Sequence, residues 1–216
     1  MAKSIAIEWT TGRIAQTFKL NRIYYNFPLL EDWLKVENTL TETDKSMLDY
    51  RRDNLLRRVN SWNEETLKMK FIAFILDMVQ YDSAVWEGIF ETEMSATIDG
   101  HSLKVITDFT VAKVFEDLIE KPYFYFHEYK AAKKKSKDPI AQVLLAMLIA
   151  QEKNQDGKPI YGCHVIGENW YFMVMHGREY AIANSLDSTS KEDLQVILLI
   201  LRKFKDILLT KLAVNN

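Results

Sequence analysis

Cysteine, glycine and proline are all scarce in this chain of 216 residues, which has one cysteine, seven glycines and four prolines. The single cysteine, Cys163, excludes an internal disulfide framework and a multi-cysteine zinc site, and it fits a reducing cytoplasm. So few glycines and prolines leave little room for a flexible linker or a low-complexity segment. We therefore expect one folded domain, or one domain with an appendage.

Long apolar runs and an excess of charge of one sign are also missing. No run approaches the roughly 20 apolar residues that span a bilayer, and residues 1–8 lack the apolar stretch of a secretory signal. We expect no membrane partner and a cytoplasmic location. Because 28 lysines and arginines face 30 acids, giving a net charge of −2, no overall basic character indicates nucleic-acid binding. Any such contact must come from local patches.

The chain does contain an aromatic run that ends in a carboxylate and an ammonium group. Residues 123–130 read Tyr-Phe-Tyr-Phe-His-Glu-Tyr-Lys, which predicts a β-strand with Glu128 and Lys130 on one face. The preceding predicted strand, residues 102–112, carries a single acid, Asp108. If the two strands are neighbours, these three residues converge. Two carboxylates directed at one point need a positive charge between them, and Mg²⁺ accepts such an oxygen cage.

The hydrophobic pattern divides the chain at residue 62. Residues 1–62 predict a helical N-terminal extension, with a helix start at Thr41 to Asp44. Asn63 is a good N-cap for the next helix, and the Asp99-Gly100 pair is typical of a tight hairpin turn. After residue 62 the pattern predicts, in order, a helix at 63–81, strands at 85–98, 102–114 and 123–131, a helix at 138–154, strands at 160–166, 170–175 and 179–183, and a helix at 191–212.

The order helix, three strands, helix, strands, together with Asp108 and the Glu128-Tyr129-Lys130 triplet, resembles the PD-(D/E)XK nuclease superfamily. It is closest in character to the nuclease region of type I restriction R subunits. The resemblance implies an α/β fold with a restriction-endonuclease-like core, a mixed central sheet flanked by helices, over residues 63–216. One departure is Thr107, which stands where the family name records a proline.

The same resemblance implies metal-dependent hydrolysis of phosphodiester bonds in DNA, with Mg²⁺ or Mn²⁺ as cofactor. Asp108 and Glu128 would hold the metal, and Glu64 would be a further ligand. Lys130 would orient or activate the attacking water, and Gln142, on the following helix, would support the site. The expected partners are nucleic acid, a second copy of the chain in a homodimer, or a protein of a restriction or repair system.

Each of these assignments has a structural alternative. Glu64 could simply complement a helix dipole, Gln142 could be an exposed polar residue, and Asp108 could pair with a nearby base such as Lys104. The chain would then be a catalytically inactive member of the fold that binds nucleic acid or protein. RNA is an alternative substrate. Two basic groups could contact phosphates or be solvated: the lysines of residues 133–137, and Arg51, Arg52, Arg57 and Arg58.

Overall fold

The computed structural model describes residues 9–58, 61–116, 118–129 and 138–212. They form a mixed α/β protein in which helices pack on a mixed sheet. The helices are α1 (Thr11–Thr17), α2 (Pro28–Leu34), α3 (Glu42–Arg58), α4 (Glu64–Leu67), α5 (Ala73–Asp77), α6 (Pro139–Asn154) and α7 (Lys191–Ile207). The strands are β1 (Asn21–Arg22), β2 (Trp86–Ile98), β3 (His101–Phe115), β4 (Leu118–Tyr129), β5 (Ile160–Ile166), β6 (Asn169–His176), β7 (Glu179–Ile182) and β8 (Leu186–Asp187).

The strands lie in the order β1-β7-β6-β5-β4-β3-β2, and β8 pairs with β6. The β4–β5 and β1–β7 pairs are parallel, and the other pairs are antiparallel. Helix α6 makes the crossover between the parallel strands β4 and β5, as parallel pairing requires. The order of helix, three strands, helix and strands after residue 62 is therefore the predicted one.

Local sequence signals place most of these elements. The side chain of Asn63 accepts a hydrogen bond from the Thr66 amide at the start of α4, and Asp138 caps α6 in the same way ahead of Pro139. The β2–β3 hairpin turns at Asp99 and Gly100, whose φ angles of 47° and 79° are both positive. A two-residue turn of this kind matches the twist of the flanking strands, which explains why the Asp-Gly pair predicted it correctly.

The centre of the sheet is covered on both faces. Strand β5 is buried from Ile160 to Val165 at every position, a pattern typical of a strand with helices on either side. Helix α6 packs on β4 and β5 and is itself buried along most of its length. Helices α2 and α7 meet over Tyr161, where Trp33 and Phe204 contact its ring.

Residues before 62 contribute more than helices. Strand β1, which the sequence pattern did not indicate, pairs in parallel with β7 and so extends the sheet. Trp33 of α2 is fully buried, and its indole nitrogen donates a hydrogen bond to the Ile200 carbonyl of α7 at 2.9 Å. The helical character expected of this segment is present in α1, α2 and α3, but its side chains also form part of the common core. None of the helices in the described ranges has both the length and the apolar character needed to cross a membrane.

Candidate functional site

The helix that begins after Asn63 is interrupted by one wider turn. Between α4 and α5, the segment Lys68–Ile72 is a π-helix, with the Ala73 amide donating to the Lys68 carbonyl five residues earlier. A π turn is rare and recurs at functional sites, because it rotates the side chains that follow it out of the ordinary helical register. Here it begins at Lys68, a lysine whose side chain is only 8% exposed.

Three carboxylates surround the Lys68 ammonium group. The Nζ atom lies 3.0 Å from Asp108 Oδ1, 3.5 Å from Glu91 Oε1 and 3.6 Å from Glu65 Oε2. Asp108 is the enclosed member, with 14% of its side chain exposed, whereas Glu65 and Glu91 are 67% and 69% exposed. We call this group the charged corner. Three negative charges around one positive charge leave it with a net charge of −2 when all four groups are ionised.

The two strands under the charged corner are both distorted there. Glu91, in the interior of β2, has a φ of 53°. This is the left-handed region of backbone conformation, and no other non-glycine residue inside a described strand adopts it. On β3 the hydroxyls of Thr107 and Thr110 share a hydrogen bond of 2.7 Å. Residues three apart in a straight strand are separated by about 10 Å. Strand β3 therefore bends at Asp108, opposite the strained Glu91, and such strain is often found at functional sites.

The electrostatic state of Lys68 follows from two opposing effects. Burial lowers its pKa, but the hydrogen bond and charge of Asp108, helped by the charges of Glu65 and Glu91, outweigh burial and bring the pKa of Lys68 above its ordinary value. The amine is therefore protonated at neutral pH. Lys68 acts as a fixed positive charge for Asp108 and does not provide a general base.

The predicted partner strands of the site are neighbours. Strands β3 and β4 pair antiparallel, with Phe109 opposite Phe126. Asp108 is one residue before Phe109 on β3, and Glu128 is two residues after Phe126 on β4. The bend in β3 interrupts the simple alternation of faces, and the register alone does not assign Asp108 and Glu128 to one face. Lys130, the predicted water-activating residue, lies outside the described residues, as do the lysines of residues 133–137.

The two remaining predicted residues lie on the expected helices. Glu64 is exposed in the first turn of α4, and its neighbour Glu65 is the residue that approaches Lys68. Gln142 lies in the first turn of α6, and its Oε1 atom is buried without a hydrogen-bond partner in the described part of the chain. A buried amide oxygen without a partner costs free energy, so this atom is available to a ligand or a water.

Sequence reasoning missed Lys68, Glu65 and Glu91. The alternative that paired Asp108 with Lys104 named the wrong base, because Lys104 bonds Glu93 at 2.8 Å and Asp108 pairs with Lys68. Lys68 is a charged residue that faces the sheet, which is unusual enough to be a signal. Helical periodicity alone does not place Lys68 on that face, because the π turn shifts the register of the helix.

Three further observations limit the chemistry available elsewhere. Within residues 9–58, 61–116, 118–129 and 138–212, no three His, Cys, Asp or Glu side chains are grouped so that they could hold a metal ion as they stand. Cys163 is buried and burial raises the pKa of its thiol, which disfavours the reactive thiolate. His164 is also buried and stacks on the Tyr171 ring at 4.7 Å. Among the ion pairs of the described residues, Lys68 and Asp108 are the pair with the least exposed side chains, at 8% and 14%.

No protein-family model matches the chain, and no curated protein matches it in sequence.

Proposed function

We propose that this protein is a metal-dependent nuclease that hydrolyses phosphodiester bonds in DNA and that residues 63–216 form a restriction-endonuclease-like core. The order of α4–α5, β2, β3, β4, α6 and β5 supports the proposal, as does the parallel β4–β5 pair bridged by α6. In this arrangement Asp108 and Glu128 stand on adjacent strands and Gln142 lies on the crossover helix. The observation that carries the proposal is the enclosed Asp108 carboxylate at a strained bend of β3.

The donor atoms around Asp108 are of the right kind for Mg²⁺ or Mn²⁺. Both ions prefer carboxylate oxygens, and Glu65 and Glu91 bring two further carboxylates to the position now filled by the Lys68 ammonium group. We propose that Asp108, Glu128 and Glu64 hold the metal, with Glu65 and Glu91 as additional oxygen donors. When bound, the metal lowers the pKa of a water and offsets charge on the phosphate.

The protein's own residues have separate tasks in this proposal. Lys68 neutralises Asp108 in the free protein and competes with a metal for the same carboxylate. Lys130 orients the attacking water, and Gln142 Oε1 accepts a hydrogen bond from that water. Because each role belongs to a different side chain, single substitutions should separate them.

Cleavage of plasmid and single-stranded DNA with Mg²⁺ or Mn²⁺ tests the proposal directly. We expect the wild type to cut, Asp108→Asn and Lys130→Ala to lose nearly all activity, and Asp99→Asn to cut like the wild type. Asp99 is a matched control because it is also an ion-paired aspartate of the β2–β3 hairpin, bonded to Arg178 at its far end. A folded wild type that neither cuts DNA nor binds either metal in calorimetry contradicts the proposal.

The Lys68–Asp108 contact favours a second candidate, a catalytically inactive member of the same fold that binds nucleic acid or protein. At 3.0 Å from Lys68, Asp108 has a structural partner that needs no metal. The variant Lys68→Met separates the two candidates. In a nuclease, removal of the competing ammonium should tighten Mg²⁺ binding, whereas in a binding module it should only lower stability.

A further inference from the structure

A second charged region lies on the other side of the same helix. Between α3 and the π-helical turn is an open pocket of about 310 Å³. Its lining combines three cations, two aromatic side chains and an amide, and includes no acid among the described residues: Tyr50, Arg51, Asn54, Arg58, Trp62 and Lys70. Lys70 stands two residues after Lys68, so one wider helical turn supplies a lysine to each region.

The acids of α3 do not neutralise this pocket. Asp49 pairs with Lys191 at 2.7 Å and lies 3.8 Å from Arg52, and Asp53 lies 3.3 Å from Arg52. Both carboxylates are thus engaged by cations that do not line the pocket. The ion pairs found in the described part of the chain involve none of the three lining cations. The pocket therefore has a local positive charge although the whole chain has a net charge of −2.

One of the cations is held in a fixed position. The Arg51 guanidinium lies 3.9 Å from the centroid of the Phe74 ring and donates from Nη1 to the Lys70 carbonyl at 3.3 Å. Its Nε is buried and has no hydrogen-bond partner in the described ranges. Beside it, Tyr50 is exposed, with 66% of the residue accessible. A fixed guanidinium reduces the entropy lost on binding an anion, and an exposed ring leaves a face on which a nucleic-acid base can stack.

We propose that this pocket binds a single-stranded segment of nucleic acid, with phosphates on Arg58 and Lys70 and a base stacked on Tyr50. Cations that follow the backbone and an aromatic ring that accepts any base are the two parts of sequence-independent single-strand binding. The Tyr50 ring favours a nucleic acid over an acidic peptide, because the peptide offers carboxylates to the cations but no flat base to stack on the ring. The choice of nucleic acid rests on the proposed function, but the binding itself requires no metal and no cleavage.

Fluorescence anisotropy with a labelled oligothymidylate, in EDTA, tests the inference independently of hydrolysis. Arg58→Ala and Lys70→Ala should each weaken binding at every salt concentration and reduce the slope of log K against log salt by about 0.7. Tyr50→Ala should weaken binding at least about fivefold, and Tyr50→Phe, which keeps the ring, should bind like the wild type. Arg57→Ala is the matched control, an exposed arginine of the same helix that does not line the pocket.

Three results would overturn the inference: no binding of oligothymidylate by the wild type at low salt, an equal loss in Arg57→Ala and Arg58→Ala, or equal competition by a polyglutamate peptide. An equal loss in Arg57→Ala and Arg58→Ala would indicate that the oligonucleotide is attracted to the basic surface in general. Equal competition by polyglutamate would indicate a surface that binds acidic proteins. If the wild type binds the oligonucleotide in EDTA but cuts neither plasmid nor single-stranded DNA with Mg²⁺ or Mn²⁺, the proposed nuclease activity fails and the binding pocket stands. If the wild type cuts DNA with Mg²⁺ but does not bind the oligonucleotide in EDTA, the nuclease activity stands and the binding pocket fails.

Discussion

Two regions of this protein contrast in how their side chains are held. In the aromatic centre, the Trp33 ring meets four other rings edge-on at centroid distances of 5.1 to 6.3 Å: Phe124, Tyr161, Phe172 and Phe204. In the charged corner, one ammonium group is shared by three carboxylates, over a π turn, a bent strand and a residue with positive φ.

The difference follows from the forces that act in each region. Edge-to-face rings gain free energy from burial and from their quadrupoles, and the Trp33 indole nitrogen is satisfied by the Ile200 carbonyl. In the charged corner, desolvation and backbone strain are unfavourable, and ion pairing opposes them. We infer that the aromatic centre contributes more to the stability of the fold than the charged corner does.

The largest expected effect is loss of the aromatic centre. Trp33→Ala should destabilise the protein by about 3–5 kcal/mol, because it removes a buried indole from the middle of four rings and with it the hydrogen bond to the Ile200 carbonyl. Urea unfolding followed by circular dichroism measures the change. Tyr25→Ala is the control, since Tyr25 is 86% exposed and its loss should cost no more than about 0.5 kcal/mol. Equal effects of the two substitutions would contradict the role given to Trp33.

A smaller effect is expected in the charged corner. Lys68→Met should cost about 2–3 kcal/mol, because it leaves the enclosed Asp108 carboxylate without its ammonium partner. A double-mutant cycle with Asp108→Asn should give a coupling free energy of about 1–3 kcal/mol in urea unfolding.

The control for this cycle is the exposed pair on the same hairpin. Lys104 and Glu93 lie 2.8 Å apart, with 63% and 56% of their side chains exposed. Lys104→Met and Glu93→Gln should show a coupling of less than about 1 kcal/mol. If both cycles give the same small value, the Lys68–Asp108 pair is no more important to stability than a surface ion pair.

The smallest effect is expected at an ion pair of one cation and one anion, whose charges cancel. Arg202 of α7 donates two hydrogen bonds of 2.8 Å to Asp44 of α3. These bonds, with help from Thr41 and against the effect of burial, lower the pKa of Asp44 from 3.8 to about 2. Because the folded pKa lies below the unfolded one, the pair stabilises the protein above about pH 4, and this stability is lost as pH falls towards 2.

Asp44→Asn should therefore cost about 1–2 kcal/mol at neutral pH and almost nothing near pH 2. Urea midpoints measured at several pH values give both numbers. Asp49→Asn is the matched control on the same helix, since the Asp49–Lys191 pair is more exposed, with 35% and 46% of the two side chains accessible. A pH-independent difference between Asp44→Asn and the wild type would contradict the assigned ionisation.

Local chemistry explains which parts of the fold could be predicted. The caps at Asn63 and Asp138 and the turn at Asp99-Gly100 act through hydrogen bonds or φ preferences of a few adjacent residues, so their patterns predicted the correct boundaries. Asp108 stood out for a similar reason, as the lone acid of a β-prone run. It is indeed enclosed by the folded chain.

The charged corner as a whole could not be predicted in this way. Its members are separated by up to 43 positions in sequence, and nothing in the local pattern of Glu65 or Glu91 distinguishes them from solvated acids. Strand β1 was missed because two residues are too short to show a period, and its strand geometry comes from pairing with β7.

The sequence by itself determined the order of the longer helices and strands, because capping, turn formation and hydrophobic periodicity are settled by neighbours along the chain. Only the tertiary structure decided that Lys68 would neutralise Asp108 and that Arg51, Arg58 and Lys70 would meet around one pocket. Ion pairs and pockets depend on distances between residues far apart in sequence, and those distances exist only after the helices have packed on the sheet.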